Sequence, residues 1–291
     1  MEYALHKIAV AGGDRRQIYM ANDLSEKGFS VMALGFDEGE GFLPEIEVTE
    51  DAGRLKGSDV LILGLPVSDE KGLLHALFSK NKWTLSEVLS ALPESCRLFG
   101  GRVSEQAQKT AESLGFFIED YSREEELSIL NAVPTAEGAL AIALEKLPRT
   151  LWKSHCLVLG YGKIGKILAE RLKAMGARVT VSARNPQQLA WAQTAGFTAV
   201  PISELLPQLA GQDMIFNTIP AVVLTEKHLE NITPSCPVVE LASKPGGVDL
   251  EAAERLNREI IPAPALPGRT APQTAGELIG QTILHMMNRE R

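Results

Sequence analysis

Cysteine is scarce in this chain: Cys96, Cys156 and Cys236 are its only three, far apart and with no C-x-x-C pair. That spacing excludes a disulfide framework and the usual thiolate metal sets, so no metal is expected. It fits three buried, small apolar residues in a reducing cytoplasm. Excess positive charge is missing as well. With 29 Lys and Arg against 37 Asp and Glu the formal net charge is −8, which leaves no basic footprint for nucleic acid. No apolar stretch reads as long enough to cross a bilayer, and Met1-Glu2-Tyr3-Ala4-Leu5-His6-Lys7 has no signal-peptide pattern, so no membrane association is expected. What is there is a globular composition: 291 residues, 45% hydrophobic and 23% charged, enough for two domains.

The run Cys156-Leu157-Val158-Leu159-Gly160-Tyr161-Gly162-Lys163-Ile164-Gly165 carries the most function. It reads as a buried strand delivering a G-x-G-x-x-G turn onto a helix. In that pattern Gly160 allows the tight turn, Gly162 lets the backbone approach a pyrophosphate, and Gly165 lets the helix pack close to the strand. The pyrophosphate then sits on the helix N-terminus, where unpaired N–H groups and the helix dipole favour an anion. A bare glycine triplet proves little, but here Ile164, Ile167, Leu168, Leu172 and Met175 follow at helical spacing, Gly176 stops the helix, and Arg178-Val179-Thr180-Val181-Ser182-Ala183-Arg184 alternates as the next strand. The unit is a Rossmann βαβ.

An Asp or Glu closing that second strand would bond the ribose 2′-hydroxyl of NAD. None is present. Ser182 and Arg184 stand there instead, and a guanidinium suits a 2′-phosphate, so NADP(H) is expected as cofactor with NAD(H) as the alternative. Further strands end at Asn217-Thr218-Ile219-Pro220 and before Ser243-Lys244-Pro245-Gly246-Gly247. In open parallel sheets ligands gather outside the carboxyl ends of strands, so both segments are expected to border the cofactor.

The first half reads as α/β too. Strands are expected at Lys7–Ala11, Phe29–Leu34, Asp59–Pro66, Cys96–Gly101 and Phe116–Asp120. Its turn, Gly12-Gly13-Asp14-Arg15-Arg16, lacks the dinucleotide spacing and carries an acid where a diphosphate would be repelled, but Arg15 and Arg16 suit a smaller anion. The expected organisation is an N-terminal α/β domain over residues 1–133 joined by a final helix over 273–291, a connector helix over 134–150, and a Rossmann domain over 151–272. The fold class is α/β: two doubly wound domains with a cleft between them. That arrangement resembles the D-2-hydroxyacid dehydrogenases, but none of His75, His155, His228 and His285 stands four residues after a Glu, and His6, which does, is not placed as that family's Glu-x-x-x-His general acid.

Over its whole length the chain resembles the family of A subunits of bacterial dipicolinate synthase. The carriers are Ala11-Gly12-Gly13-Asp14-Arg15-Arg16-Gln17, Asn131-Ala132-Val133-Pro134-Thr135-Ala136-Glu137-Gly138-Ala139, the glycine turn, and Leu266-Pro267-Gly268-Arg269-Thr270-Ala271-Pro272-Gln273-Thr274-Ala275-Gly276. Arg269 stands where the family often has Lys, which keeps a cation in place. The resemblance implies an NADP-dependent dehydrogenase that oxidises a dihydrodipicolinate-type ring to the aromatic dicarboxylate during endospore formation. It also implies a hetero-oligomer with a flavoprotein-like B subunit in the mother-cell cytoplasm. A dianionic ring calls for cations and donors, for which Arg15, Arg16, Arg269, Thr270, Thr135 and Ser243 are expected. The departing proton calls for a base, for which Glu137 is expected. The alternatives are a 2-hydroxyacid-type dehydrogenase and a non-catalytic cofactor-binding subunit.

Overall fold

The computed structural model describes residues 6–289; the last two positions of the expected final helix, and residues 1–5 of the expected first domain, lie outside it. In chain order the first elements are β1 (Lys7–Ala11), α1 (Arg15–Glu26), β2 (Ser30–Leu34), β3 (Glu47–Thr49), β4 (Val60–Leu63), α2 (Leu85–Ser90), β5 (Arg97–Gly100), α3 (Glu105–Ser113), β6 (Ile118–Asp120), α4 (Glu125–Leu130) and α5 (Ala132–Lys146). Then come β7 (His155–Leu159), α6 (Lys163–Ala174), β8 (Arg178–Ala183), α7 (Pro186–Thr194), β9 (Thr198–Pro201), β10 (Met214–Asn217), α8 (Glu226–Glu230), β11 (Val238–Glu240), α9 (Leu250–Arg255), β12 (Ile260–Pro262), α10 (Leu266–Thr270) and α11 (Pro272–Asn288).

The chain divides into two compact units, residues 1–131 with 271–291, and residues 132–270. Each holds a six-stranded parallel sheet, ordered β3-β2-β1-β4-β5-β6 in the first and β9-β8-β7-β10-β11-β12 in the second. Both are doubly wound orders whose direction reverses beside the first strand, at β1/β4 and at β7/β10. The central strands are continuous apolar runs because both faces are covered: β4 and β10 are buried at every residue. The three-residue strand β3 and the strand β9, neither of them expected, sit at sheet edges, where exposure removes the apolar pattern.

In the first unit α11 lies along α1. Ile279, Ile283 and Met286 pack with Ile18, Met20, Ala21 and Leu24 in one core. Gly276 permits the approach, since a Cβ there would stand 2.3 Å from the Arg16 carbonyl oxygen. In the second unit Ala136, Ala139, Leu140 and Ala143 of α5 join the core beneath α6.

Two expectations change. The connector helix starts earlier, at Ala132, and α5 belongs to the second unit, packed on α6 and α10; Pro134 falls within its first turn, where no intrahelical donor is needed. The late segment Leu266–Thr270, which carries Arg269 and Thr270, is a helical turn docked on Gly138 of α5. Glu125–Lys146 has the length and mean hydropathy, 1.5, to cross a membrane by composition alone. It is nonetheless two helices with residues buried in the cores, as α5 shows, and carries the composition of core helices.

The three thiols are buried, and burial pushes Cys96 and Cys236 up to about 12 and Cys156 up to about 11. Gly276→Ala should destabilise the first unit by about 1–3 kcal/mol through overpacking, read as a lowered midpoint in urea unfolding; an unchanged midpoint would show that α11 can slide away from α1 without cost.

Candidate dinucleotide site

The glycine turn after β7 is the centre of the second unit's switch point. Gly160 has φ +92°, and a Cβ there would stand 2.3 Å from Thr218 Oγ1. A Cβ on Gly165 would stand 2.0 Å from the Gly160 carbonyl oxygen, so α6 touches the turn that precedes it. Gly162 is the opposite case. Nothing lies within 4 Å of where its Cβ would be, leaving the open face that a pyrophosphate needs. Gly162 is also the N-cap of α6 and provides no side-chain cap, the kind of helix N-terminus that suits an anion; Lys163 and Ile164 open the helix there.

A cavity of about 490 Å³ opens beside this turn, lined by Gly160, Tyr161 and Gly162, by Ala183 to Asn185 with Gln188, and by Thr218 to Val223 among others. Tyr161 is held by Phe197, their rings edge to face with centroids 6.0 Å apart. Arg184 stands exposed on the rim. Beside it Asn185 caps α7, its side chain accepting from the Gln187 N–H at 2.8 Å. Thr218 Oγ1 donates to the Leu159 carbonyl at 2.8 Å and ties the β10 loop to the end of β7. The open cradle, the uncapped helix and the volume together fit a dinucleotide.

Two residues expected to touch the cofactor do other work. Ser182 is fully buried and lies outside the cavity; its carbonyl accepts from the Gly160 N–H at 2.7 Å and so braces the turn. Asn217 is also fully buried. Its Oδ1 accepts from the Ile219 N–H at 3.1 Å, while Nδ2 donates to the Ile219 carbonyl at 3.0 Å and to Glu240 Oε1 at 2.8 Å. A strand-end position is legible for both from sequence, but not the face each presents.

The expected substrate residues are divided between the two units. In the second unit Glu137 pairs with Arg171 at 3.1 Å and sits in the second turn of α5. Thr135 is half-buried in the same helix, Ser243 is exposed, Arg269 is exposed, and Thr270 Oγ1 donates to the Leu266 carbonyl at 2.8 Å. In the first unit Arg15 is exposed and lines a separate cavity with Tyr19 and Phe78. Arg16 is committed: Nε and Nη2 grip the Asp14 carboxylate at 2.8–3.2 Å, and Nη2 donates to the Leu65 carbonyl at 3.1 Å. It is therefore corrected from a substrate clamp to half of an internal ion pair. Asp14 is the N-cap of α1, in a reciprocal capping box with Gln17. The segment after β4 closes over this turn, with Gly13 bridged to Ala76 and the Gly13 N–H donating to the His75 carbonyl. The first unit thus has a dinucleotide topology whose phosphate position is filled by its own backbone.

An open glycine turn at the switch point of a doubly wound sheet, facing a cavity, marks the second unit as a dinucleotide-binding domain of the Rossmann class. Residues 137–233 match the family model of the D-isomer specific 2-hydroxyacid dehydrogenase NAD binding domain, and residues 7–121 that of the N-terminal domain of the dipicolinate synthase A subunit. The dipicolinate synthase A subunit of Bacillus subtilis (strain 168) is 30% identical over 97% of this chain and 95% of its own. The crystal structure of that Bacillus subtilis protein superposes with TM-score 0.87 at 29% identity, covering 98% of this chain and 96% of that one. The crystal structure of the Bacillus halodurans A subunit gives 0.88 at 27% identity, covering 98% of each. The chain belongs to the family of dipicolinate synthase A subunits.

Burial pushes the His75 imidazole down, with Arg16 adding to this and Asp14 opposing it. The folded state then takes up that proton less readily than the unfolded chain. Stability should therefore fall as pH drops below about 6.5 towards the lowered folded value. His75→Gln should flatten that limb in pH-dependent urea unfolding, and an unchanged slope would mean that the imidazole is not the group responsible.

Proposed function

We propose that the chain is an NADP(H)-dependent dehydrogenase oxidising dihydrodipicolinate, or a precursor derived from a hydroxy-tetrahydrodipicolinate, to dipicolinate (pyridine-2,6-dicarboxylate). It acts with a flavoprotein-like B subunit in the mother-cell cytoplasm during endospore formation. Family membership supports the reaction class. The observation that carries the cofactor choice is Arg184 on the cavity rim after β8, in a place that holds no carboxylate.

A bound nicotinamide supplies the hydride acceptor, and aromatisation supplies the driving force. The protein has to orient and neutralise. Gly160 to Gly165 and the α6 N-terminus hold the diphosphate, Arg184 meets the 2′-phosphate, and Thr218, Ile219 and Pro220 form the wall of the cavity. The exposed guanidiniums of Arg15 and Arg269 are the proposed contacts for the ring carboxylates, with hydroxyls from Thr135, Ser243 and Thr270. Oxidation releases one hydride and one proton from the ring, and Glu137 is the proposed acceptor of the proton. It must let go of Arg171 to serve. That pairing favours a second reading, in which this chain holds the cofactor and the chemistry sits on a different protein chain.

The test follows the ultraviolet band of dipicolinate while the chain, with and without a B subunit, meets NADP+ and a freshly generated dihydrodipicolinate pool. A cofactor-dependent rise is expected, abolished or slowed at least a hundredfold by Glu137→Gln. A rise untouched by Glu137→Gln and Arg269→Ala supports the cofactor-holding reading instead. Arg184→Asp should weaken NADPH by about tenfold or more, the scale of one charge-assisted hydrogen bond, with a much smaller change for NADH. Equal losses in a fluorescence titration would mean that Arg184 does not read the 2′-phosphate.

A further inference from the structure

The first unit has a cavity of its own, about 430 Å³, in the size range of small-molecule sites. α1 gives it Arg15, Ile18 and Tyr19, the loop after β2 gives Glu38 and Glu40, and the segment after β4 gives Phe78. The corresponding two loops, after β8 and after β10, border the cavity of the second unit. Here the glycine turn is covered by the segment around His75, which leaves the cavity to a molecule smaller than a dinucleotide. Its walls are held in place by the protein alone. Asn22 of α1 donates from Nδ2 to the Gly41 carbonyl at 2.7 Å and accepts the Leu43 N–H on Oδ1 at 3.1 Å, while the Glu38 N–H donates to the Phe78 carbonyl at 2.8 Å. Phe78 stacks on the buried Phe36, with ring centroids 6.4 Å apart.

Charge decides the class of occupant. Among the described residues Arg15 and Glu40 form no ion pair and no side-chain hydrogen bond, and Glu38 reaches only the exposed Lys80, at 3.5 Å. One guanidinium and two carboxylates thus face one cavity, with Ile18 and Phe78 between them as apolar wall, without pairing with each other. Inside it a lone anion would meet the carboxylates and a lone cation the guanidinium, whereas a molecule carrying both charges complements both walls. We propose that this cavity binds a free zwitterionic α-amino acid with an apolar side chain: Arg15 takes its carboxylate, Glu38 and Glu40 its ammonium group, and Ile18, Tyr19 and Phe78 its side chain. Arg15 is also a proposed contact for the ring carboxylates, so amino acid and ring exclude each other at that guanidinium.

Calorimetric titration of the full chain with L-leucine, L-phenylalanine and L-tryptophan, in the absence of cofactor and ring substrate, tests this independently of the dehydrogenase reading. At least one of the three should bind with a dissociation constant of about 1 mM or tighter. Analogues of the best binder that lack either the amino group or the carboxylate should bind about tenfold more weakly or worse, the scale of one charge-assisted hydrogen bond. Arg15→Gln, and Glu38→Gln combined with Glu40→Gln, should each weaken the amino acid by a similar factor. All three side chains are exposed, and an unchanged thermal midpoint checks that the variants are folded. No binding of any of the three amino acids at that concentration, equal binding of an analogue that lacks one charge, or binding unchanged in either variant overturns the proposal. Dipicolinate formation by a chain that binds none of the amino acids would leave the dehydrogenase reading standing and remove this proposal alone.

Discussion

The contact between α6 and the turn that feeds it is the constraint on which the second unit depends. A helix aims its unpaired N–H groups at a phosphate only if its first turn lies against the strand end, and here the Gly160 carbonyl occupies the space a Gly165 side chain would take. The turn is then locked by its neighbours. Gly160 N–H donates to the Ser182 carbonyl on one side, and Thr218 presses on the other while reaching back to Leu159. The result is a rigid floor with one open position, Gly162. Everything that faces the cavity, from Arg184 to the β10 loop, is placed relative to that floor.

The first unit begins from the same strand order and resolves the same crevice differently. Its turn has positive φ at both Gly12 and Gly13, which gives backbone freedom, but Asp14 caps the helix that follows. A carboxylate accepting helix N–H groups does the work an anionic ligand would do, and it repels one. Arg16 is drawn onto that carboxylate, and the segment around His75 lies across the glycines. Burial pushes the Asp14 carboxyl up, but the hydrogen bonds and charge of Arg16 outweigh this and hold it below the usual carboxylate range. Two sheets of one topology therefore end in an open site and a closed one, and the difference lies in Asp14, Arg16 and the segment around His75.

Much of this is legible in the sequence. Buried parallel strands announce themselves as apolar runs between polar flanks, and a glycine turn with the right spacing needs only a strand before it and a helix after it. Edge strands such as β3 are invisible because nothing covers them, so no pattern is imposed. Ser182 and Asn217 read as ligand contacts because both lie at strand ends, where ligands gather; nothing in the residue order says whether such a side chain points up into the cavity or down into the core. Arg16 misleads for a related reason. A guanidinium in a glycine-rich turn looks like an anion site until its partner is known, and here the partner is the N-cap two residues earlier. Glu240 gives no signal because its link to Asn217 exists only through the pairing of β10 with β11, where the two residues stand in register.

These misreadings share a physical root that bears on how the site is built. A polar side chain at the carboxyl edge of a sheet has two stable fates: it meets a ligand, or it satisfies the main-chain groups left unpaired where strands stop. The second fate is common because every strand end leaves such groups. In this unit Asn217 and Glu240 take it, while the exposed Arg184 and the bare main chain at Gly162 face the cavity. Recognition in such a site falls to backbone and to rim charge, while the inward polar residues hold the loops in register. An edge built this way keeps its shape without a ligand, so binding costs little further ordering entropy.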